Sequence, residues 1–398
     1  MAGWKNTALA NVLEVQNGYA FDSKAFGASG MPVIRIRDLK AGLSTETRYG
    51  GEFDAKYIVN AGDFLIGMDG EFGCYEWKGE PALLNQRVCR LQGFSDSLDA
   101  RFLYYGINAH LKAIEAVTGY TTVKHLSSKQ VLGIELLVPP KNEQRRIVAI
   151  LDEAFDAIAT AKANTEKNLQ NASALFESRL RYLINEKAEG SDRKTLREIA
   201  LDFGRGKSKH RPRNDPKLYG GPYPFIQTGD VRGSDHLITD FTQTYSDAGL
   251  AQSKLWPMGT LCITIAANIA ETGVLGFDAC FPDSVIGVVV DERQTSSKYL
   301  EYMLQTVKAE LKAKGKGSAQ DNINLATFEN ERFPFPDLST QASIVSALDS
   351  LATEIQRLDV VCTCKLTALT ELKKSLLHKA FTGALTAKTT DQQVAELA

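Results

Sequence analysis

The chain has 398 residues, of which 43% are hydrophobic and 24% charged, and these values suggest a soluble globular protein of two or three domains. The formal net charge of −2 excludes a uniformly basic nucleic-acid-binding coat, but it is compatible with a local basic surface. No apolar run approaches the roughly 18 residues of a membrane span, and neither a secretory signal nor a cysteine framework is visible. We therefore predict a cytoplasmic location with reduced thiols.

Two kinds of segment alternate along the chain. Residues 1–138 and 188–335 contain short strand-like runs and many turn residues, whereas residues 139–187 and 336–385 carry long helical patterns. A polar tail, residues 386–398, follows the second helical pattern. The sequence therefore predicts an α+β fold in which two sheet-rich globular domains are separated by two long helices.

The two helical patterns begin alike. VPPKNEQRRIVAILDEAFDAI at 138–158 and FPDLSTQASIVSALDSLATEI at 335–355 agree at seven of 21 positions, always 197 residues apart. The globular segments also match, since MPVIRIRDLKAG at 31–42 is similar to YPFIQTGDVRGS at 223–234. Such self-similarity between the two halves of the chain indicates a repeat architecture. The chain is therefore predicted to be a pseudo-two-fold internal repeat.

Each helical pattern has an apolar seam with alternating steps of three and four residues, and this spacing is typical of a coiled coil. Each seam extends over about 36 residues, or roughly 54 Å of helix. The simplest way to bury two seams in the same register is to pair the helices antiparallel, although each helix could instead cover only its own domain. The predicted seam residues are Ile147, Leu151, Ile158, Leu175, Ile344, Leu348, Leu351, Ile355, Leu369 and Leu372.

These motifs resemble the specificity subunit of type I DNA restriction-modification enzymes. The similarity covers nearly the whole chain. It is strongest in PPKNEQRRIVAILD and in the corresponding segment of the second half, TQASIVSALD, each of which begins a long helix after a variable domain. GYAF at 18–21, MPVIRIRDLKAG and GYTTVKHLSSKQV at 119–131 also match that family's recognition domains. The second half departs from the pattern, because TQAS replaces NEQR and GSAQDNINLATF replaces GYTTVKHL.

The resemblance implies a function. Each globule would be a target recognition domain for one half of a bipartite, asymmetric DNA site, and the paired helices would set the gap and dock other subunits. The expected partners are double-stranded DNA, two methyltransferase subunits and two restriction subunits. S-adenosylmethionine, ATP and Mg are expected on those partners, and no cofactor is expected in this chain. Two alternatives stay open, a coiled-coil scaffold whose globules bind proteins and a stand-alone enzyme with a split active site.

Motifs for catalysis are weak in this sequence. Gly206-Lys207-Ser208 lacks the earlier glycine of a phosphate-binding loop, and the sequence predicts no strand leading into it. Pro282-Asp283 is not followed by the carboxylate-x-lysine of a nuclease site, and the five histidines have no metal-ligand spacing. The sequence therefore predicts a non-catalytic chain without a metal site.

The strongest basic cluster is GRGKSKHRPRNDPK at 204–217, which has six lysines and arginines and one acid, Asp215. Its glycines and prolines predict a loop that contacts DNA phosphates, although a solvated surface loop is the alternative. Gln and Asn side chains further along could read adenine. The predicted DNA-binding residues of the second half are Arg205, Lys207, Lys209, Arg211, Arg213, Gln227, Thr228, Ser318, Gln320 and Asn322.

In the first half, Arg35 and Arg37 alternate with isoleucines, so a strand that presents both arginines on one face is predicted. A plain solvent-facing strand is the alternative, and Asn85-Gln86-Arg87 fits a polar turn as well as a base-reading segment. The predicted DNA-binding residues of this half are Tyr19, Lys24, Arg35, Arg37, Asn85, Gln86, Arg87, Thr121, Thr122, Lys124 and His125.

Overall fold

A computed structural model describes residues 3–119, 124–210, 212–266, 270–315 and 325–387 of the chain. The chain divides into two compact units. The first unit contains Met1–Asn164 and Cys364–Ala398, and the second contains Thr165–Thr363. Each unit thus combines one sheet-rich domain with a part of both long helices.

The first unit has a two-stranded sheet (β1-β11), a four-stranded sheet (β2-β10-β7-β8) and a five-stranded sheet (β3-β5-β4-β9-β6). The strands are β1 Lys5–Ala8, β2 Glu14–Asn17, β3 Phe26–Gly27, β4 Met31–Ile34, β5 Arg48–Tyr49, β6 Ile58–Val59, β7 Phe64–Gly67, β8 Cys74–Glu76, β9 Ala82–Leu84, β10 Val88–Gln92 and β11 Glu135–Val138. The helices are α1 Ile36–Leu39, α2 Ala100–Val117, α3 Ser128–Leu132 and α4 Lys141–Lys187, the last of which continues into the second unit.

The second unit has a two-stranded sheet (β12-β22), a five-stranded sheet (β13-β21-β18-β19-β15) and a four-stranded sheet (β16-β14-β20-β17). It repeats the strand order of the first unit, except that β15 is added to one sheet and β3 has no counterpart in the other. Its strands are β12 Asp192–Lys194, β13 Ala200–Arg205, β14 Tyr219–Phe225, β15 Leu237–Ile238, β16 Gln243–Tyr245, β17 Leu255–Trp256, β18 Leu261–Thr264, β19 Thr272–Leu275, β20 Ala279–Cys280, β21 Val285–Val290 and β22 Phe333–Phe335. Its helices are α5 Thr228–Gly233, α6 Asp247–Ala251, α7 Ser297–Gly315, α8 Leu325–Asn330 and α9 Leu338–Phe381, and α9 ends in the first unit.

A buried glutamine fixes the start of each long helix. In the first unit the Gln144 amide nitrogen donates to the carbonyl oxygens of Ser97 (2.7 Å) and Pro139 (2.8 Å), and its oxygen accepts from the Asp99 amide (2.7 Å). Because a buried amide must have partners for its donors and acceptor, these bonds explain why glutamine stands here in both copies of the repeat.

Gln341 makes the equivalent contacts in the second unit. Its amide nitrogen donates to the carbonyl oxygens of Gln294 and Pro336, and its oxygen accepts from the Thr295 hydroxyl, all at 2.8 Å. Each of these partners except the Thr295 hydroxyl lies 197 residues after its counterpart. The offset in the sequence is therefore a repeat in three dimensions.

The two long helices pack antiparallel within each unit. In the first unit Ile147 and Leu151 of α4 share a core with Ala380 near the end of α9. In the second unit Ile344 and Leu348 of α9 share a core with the end of α4. These four residues were predicted to be buried in a seam between the helices, and they also lie in the cores of the sheet-rich domains.

The predicted seam is wrong in the later part of each helix. Leu175 is 58% exposed and Leu372 is 47% exposed. A straight α-helix has 3.6 residues per turn, so a heptad pattern drifts by about 20° in each repeat. The buried face therefore shifts by one residue from the positions that the heptad pattern predicts. Leu180 is buried in α4, and Ala380 is buried in α9.

The earlier part of each seam lies on the packed face. Ile158 is buried, as are Ile147, Leu151, Ile344 and Leu348. Three further residues of α9 that belong to the predicted seam are half-buried, and these are Leu351, Ile355 and Leu369.

Candidate nucleic-acid interface

A tight crossing of two backbone segments places Tyr19 beside the turn Asn85–Arg87. The amide of Tyr19 donates to the Leu84 carbonyl (2.9 Å), and the amide of Gln86 donates to the Tyr19 carbonyl (3.0 Å). Only glycine fits at position 18, because a Cβ there would lie 2.0 Å from the Asn85 carbonyl oxygen. The crossing leaves Tyr19 51% exposed, with Gln86 and Arg87 also exposed.

Asp69, directly beyond β7, joins Arg87 to His125. One carboxylate oxygen of Asp69 pairs with the Arg87 guanidinium, and the other lies 2.7 Å from Nδ1 of His125. Burial alone would raise the pKa of Asp69, but the hydrogen bonds from His125 and Arg87 outweigh burial and lower this pKa. The structure thus brings Tyr19, Asn85, Gln86, Arg87 and His125 into one region.

Lys124 belongs to the same region. Its carbonyl accepts from the Gly70 amide (2.9 Å), and its ammonium group donates to the Glu115 carbonyl (2.6 Å). The Lys124 side chain is half-buried. It therefore ties the loop before α3 to α2 and also carries a positive charge near His125.

Arg35 and Arg37 do not lie on a strand, so the prediction of one shared strand face is wrong. Strand β4 ends at Ile34, and Arg37 lies in the short helix α1. The carboxylate of Asp38 accepts from the Arg35 amide (2.8 Å), and an acidic side chain at this position caps a helical turn. The Arg37 guanidinium is exposed, whereas Arg35 lies over the ring of Phe26, 5.4 Å from its centroid.

Gln227 and Thr228 have the same setting in the second unit. The Asp230 carboxylate accepts from the Gln227 amide (2.8 Å) at the start of α5. The Gln227 side chain donates to the side-chain oxygen of Gln243 (2.8 Å), and Thr228 is half-buried. In the first unit Lys24 is exposed in a short 3-10 helix, Ser23–Ala25.

The basic loop of the second unit begins at the crossing that corresponds to Gly18. A Cβ on Gly206 would lie 2.2 Å from the Phe281 carbonyl oxygen. The neighbouring turn, residues 282–284, lies 197 residues after the Asn85–Arg87 turn. Its Asp283 accepts from Arg205 through the carbonyl oxygen (2.6 Å) and from Arg213 through both carboxylate oxygens (2.9 and 3.0 Å).

Polar contacts fold the rest of this loop against the domain. Asp215 accepts from Nε2 of His210 (2.8 Å) and pairs with Lys217 (3.1 Å), and the Lys207 carbonyl accepts from the Ser253 hydroxyl (2.8 Å). The hydrogen bond from the Lys217 ammonium group and the hydrogen bond from His210 lower the pKa of Asp215. Lys207 and Lys209 remain exposed.

Six of the predicted DNA-binding residues lie outside the described residues: Thr121, Thr122, Arg211, Ser318, Gln320 and Asn322.

Sequence reasoning missed Asp69 and Asp283 as parts of the interface. Asp69 lies 18 residues before Arg87 and 56 residues before His125, so no local pattern joins the three. Asp283 falls at the position of Gln86 in the repeat, 197 residues later. That offset was the one signal that could have drawn attention to the turn at Asp283.

Two further observations bear on function. Among the described residues, no three His, Cys, Asp or Glu side chains come together as a metal site requires. None of the helices in that part of the chain is long and apolar enough to cross a membrane.

The sequence matches the family model of the type I restriction modification DNA specificity domain twice, at residues 1–171 and 190–359. The chain belongs to this family. It is 28% identical to the type I restriction enzyme EcoBI specificity subunit of Escherichia coli over 97% of this chain and 87% of that protein. It is 21% identical to the putative type I restriction enzyme MjaX specificity subunit of Methanocaldococcus jannaschii, over 97% of this chain and 94% of that one.

Solved structures support the same fold. The HsdS subunit from Thermoanaerobacter tengcongensis is 18% identical, with a TM-score of 0.60 over 96% of this chain and 98% of that one. A chain from a study of complex assembly and conformational transition of the type I restriction-modification system is 20% identical, with a TM-score of 0.74 over 97% of this chain and 99% of that one. The predicted α+β repeat is thereby confirmed.

The protein is therefore a type I specificity subunit, and its function is recognition of a DNA sequence. Specificity subunits of these systems are non-catalytic, so this chain supplies recognition rather than chemistry. The alternative of a scaffold whose globules bind only proteins has no support. The cytoplasmic location stays a prediction.

Proposed function

We propose that the specificity subunit reads a bipartite, asymmetric DNA site, with one half-site for each unit. The observation that carries this proposal is the pair of backbone crossings at Gly18 and Gly206, which present different side chains at the same place in the fold. The first crossing presents Tyr19, Gln86 and Arg87. Because base edges are read by particular donors and acceptors, different side chains at equivalent positions select different sequences.

The second crossing presents a more basic surface. Arg205 and Arg213 surround Asp283, and the exposed Lys207 and Lys209 follow in the same loop. Lysine and arginine contacts to phosphates supply sequence-independent affinity and position a domain on the duplex. The second unit would therefore contribute more of the phosphate affinity, and the first would depend more on base contacts.

The long helices would set the gap between the half-sites and dock the other subunits. Helix α4 has 47 residues and α9 has 44. A chain of the same fold comes from a study of complex assembly in the type I restriction-modification system, which is in keeping with the docking of other subunits. The proposed partners are two methyltransferase subunits, which bind S-adenosylmethionine, and two restriction subunits, which use ATP and Mg.

The experiment is selection of bound duplexes from a random-sequence pool by the full chain in complex with its methyltransferase subunits, followed by sequencing. We expect two different specified blocks with an unspecified gap of constant length. A single contiguous block, a palindrome or no enriched sequence would contradict the proposal.

A matched pair of variants assigns each block to a unit. Gln86→Ala and Asp283→Ala change equivalent positions of the repeat, 197 residues apart. Gln86→Ala should alter the preference in one block only, and Asp283→Ala should alter the other, because Arg205 and Arg213 are held by Asp283. Changes to the same block in both variants would mean that the units do not read separate half-sites.

A further inference from the structure

We infer that Asp69 is a positioning residue for sequence recognition, since it orients the Arg87 guanidinium toward DNA. This inference rests on the proposed function of the first unit. It assigns to Asp69 control of specificity through Arg87 rather than contact with DNA. His125, on the other oxygen of the carboxylate, completes the arrangement.

The backbone holds Asp69 in place from both sides. The Met68 amide donates to the Arg87 carbonyl (3.0 Å), and the Gly70 amide donates to the Lys124 carbonyl (2.9 Å). A hydrogen bond from the Leu126 amide to the Met68 carbonyl (2.7 Å) adds a third link. The carboxylate therefore projects from a backbone that is bonded directly to the segments of Arg87 and His125.

The exposures of the three side chains fit an orienting role. The Asp69 side chain is 14% exposed, whereas those of Arg87 and His125 are 59% and 61% exposed. The carboxylate is thus shielded behind two accessible side chains, the Arg87 guanidinium and the His125 imidazole. Guanidinium has five N–H donors, more than the contact with Asp69 uses, so Arg87 can bind an outside acceptor while it is held.

Orientation matters more than stability for such a pair. Ion pairs between exposed side chains contribute little to folding, typically less than about 1 kcal/mol, and the guanidinium of this pair is 59% exposed. A bidentate contact from arginine to guanine, in contrast, requires the planar fork to lie in one direction. A flexible Arg87 would still be attracted to DNA, but it would discriminate poorly between bases.

The second unit supplies an internal control. Ala266 and Ser284 stand 197 residues after Asp69 and Arg87, so the same ion pair cannot form there. A change at Asp69 should therefore leave the half-site of the second unit unaffected. Such selectivity would not be expected if the variant simply destabilised the protein.

The test is a double-mutant cycle of Asp69→Asn and Arg87→Ala in the full chain, again with its methyltransferase subunits and the random duplex pool. Asp69→Asn should reduce discrimination at the base pair read by Arg87 by about fivefold or more, because a bidentate pair contributes that much at least. Affinity for duplex of unrelated sequence should be unchanged or higher, since one negative charge is removed. In the Arg87→Ala background, Asp69→Asn should have no further effect on discrimination.

Arg87→Lys provides a second variant that keeps the charge and loses the fork. We expect it to lose the same discrimination while Asp69 is intact. The inference would be overturned if Asp69→Asn left the block read by the first unit unchanged, or if Asp69→Asn had the same effect with and without Arg87. In either case the two-block motif of the unmutated chain would still support the proposed function. Loss of both blocks in Asp69→Asn would show a merely structural role. No enriched sequence with the unmutated chain would overturn both proposals.

Discussion

The place where each long helix enters its domain is nearly the same in the two units, whereas the turn beside the backbone crossing differs. At the helix entry, the Tyr105 hydroxyl donates to Asp152 in the first unit, and the Tyr302 hydroxyl donates to Asp349 (2.8 Å) in the second. Burial, together with the hydrogen bond to Asp152, raises the pKa of Tyr105. The tyrosine and the aspartate are thus kept in both copies, and they make the same contact in each.

The turns show the opposite behaviour. Gln86 and Arg87 of the first unit correspond to Asp283 and Ser284 of the second. The exposed cation Arg87 is thus replaced by a serine, and the amide of Gln86 is replaced by a carboxylate that holds Arg213. The backbone crossing at Gly18 is nonetheless kept. One scaffold therefore supports two reading surfaces, because the exposed side chains can change without loss of the contacts below them.

The largest expected effect is on the shared core. Leu151→Ala and Leu348→Ala remove completely buried side chains at equivalent positions. Each should lower the free energy of unfolding by about 2–5 kcal/mol, as measured by urea denaturation. Leu175→Ala is the control, since Leu175 is exposed, and it should change this energy by less than about 0.5 kcal/mol. If Leu151→Ala and Leu348→Ala lowered the free energy of unfolding by very different amounts, the two cores would not be equivalent.

The buried glutamines give the next largest effect. Gln144→Leu and Gln341→Leu leave two carbonyl oxygens and one donor in each unit without their partners. Each orphaned group that stays buried costs about 1–3 kcal/mol, so both variants should unfold at clearly lower urea concentration. Similar losses in the two units would show that the two glutamines have equivalent roles, and a neutral effect at either site would contradict that equivalence.

The basic loop should affect DNA affinity without changing sequence preference in the first half-site. Lys207→Gln with Lys209→Gln should lower the slope of log affinity against log salt by about 0.9 for each lost phosphate contact. A filter-binding titration measures this slope. Lys5→Gln with Lys78→Gln removes two exposed lysines from the first unit as a control. If both pairs of variants keep the original slope, the loop is an ordinary solvated surface.

The smallest expected effect concerns one unit only. The hydrogen bond from His236 to the buried Glu301 (2.7 Å) raises the pKa of His236, whereas Tyr104 stands at the position of Glu301 in the first unit. A raised folded pKa means that the pair stabilises the second unit below the ordinary pKa of 6.5 and that this contribution is lost as pH rises through the raised value.

Urea denaturation from about pH 6 to about pH 8 should therefore show a gradual loss of stability, and His236→Gln should make the profile flatter. The same pH dependence in His236→Gln as in the unmutated chain would show that another group is responsible.

The repeat could be predicted from the sequence because its identities, such as Gln144 and Gln341, serve local joints that recur at one offset. The seam at Leu175 could not, since a heptad pattern does not show where a straight helix drifts out of phase. The strand at Arg35 was wrong because Asp38 caps a helical turn there. Contacts such as Asp69 with His125 depend on the tertiary fold and leave no pattern in the sequence.

The claim that the units are interchangeable modules is tested most directly by a half-chain, residues 1–189. This fragment lacks the end of α9, where Phe381 packs against Phe102 with the two ring centroids 5.0 Å apart. In the repeat, Leu183 and Ile184 of α4 correspond to Ala380 and Phe381, so α4 of a second copy can take the missing place.

The measurement is the mass of this fragment by light scattering, combined with mapping of the sites that it methylates together with methyltransferase subunits. We expect a two-fold symmetric dimer, and such a dimer reads a palindrome made of two inverted copies of the first half-site. A folded monomer, or a dimer that still methylates an asymmetric sequence, would contradict the modular account.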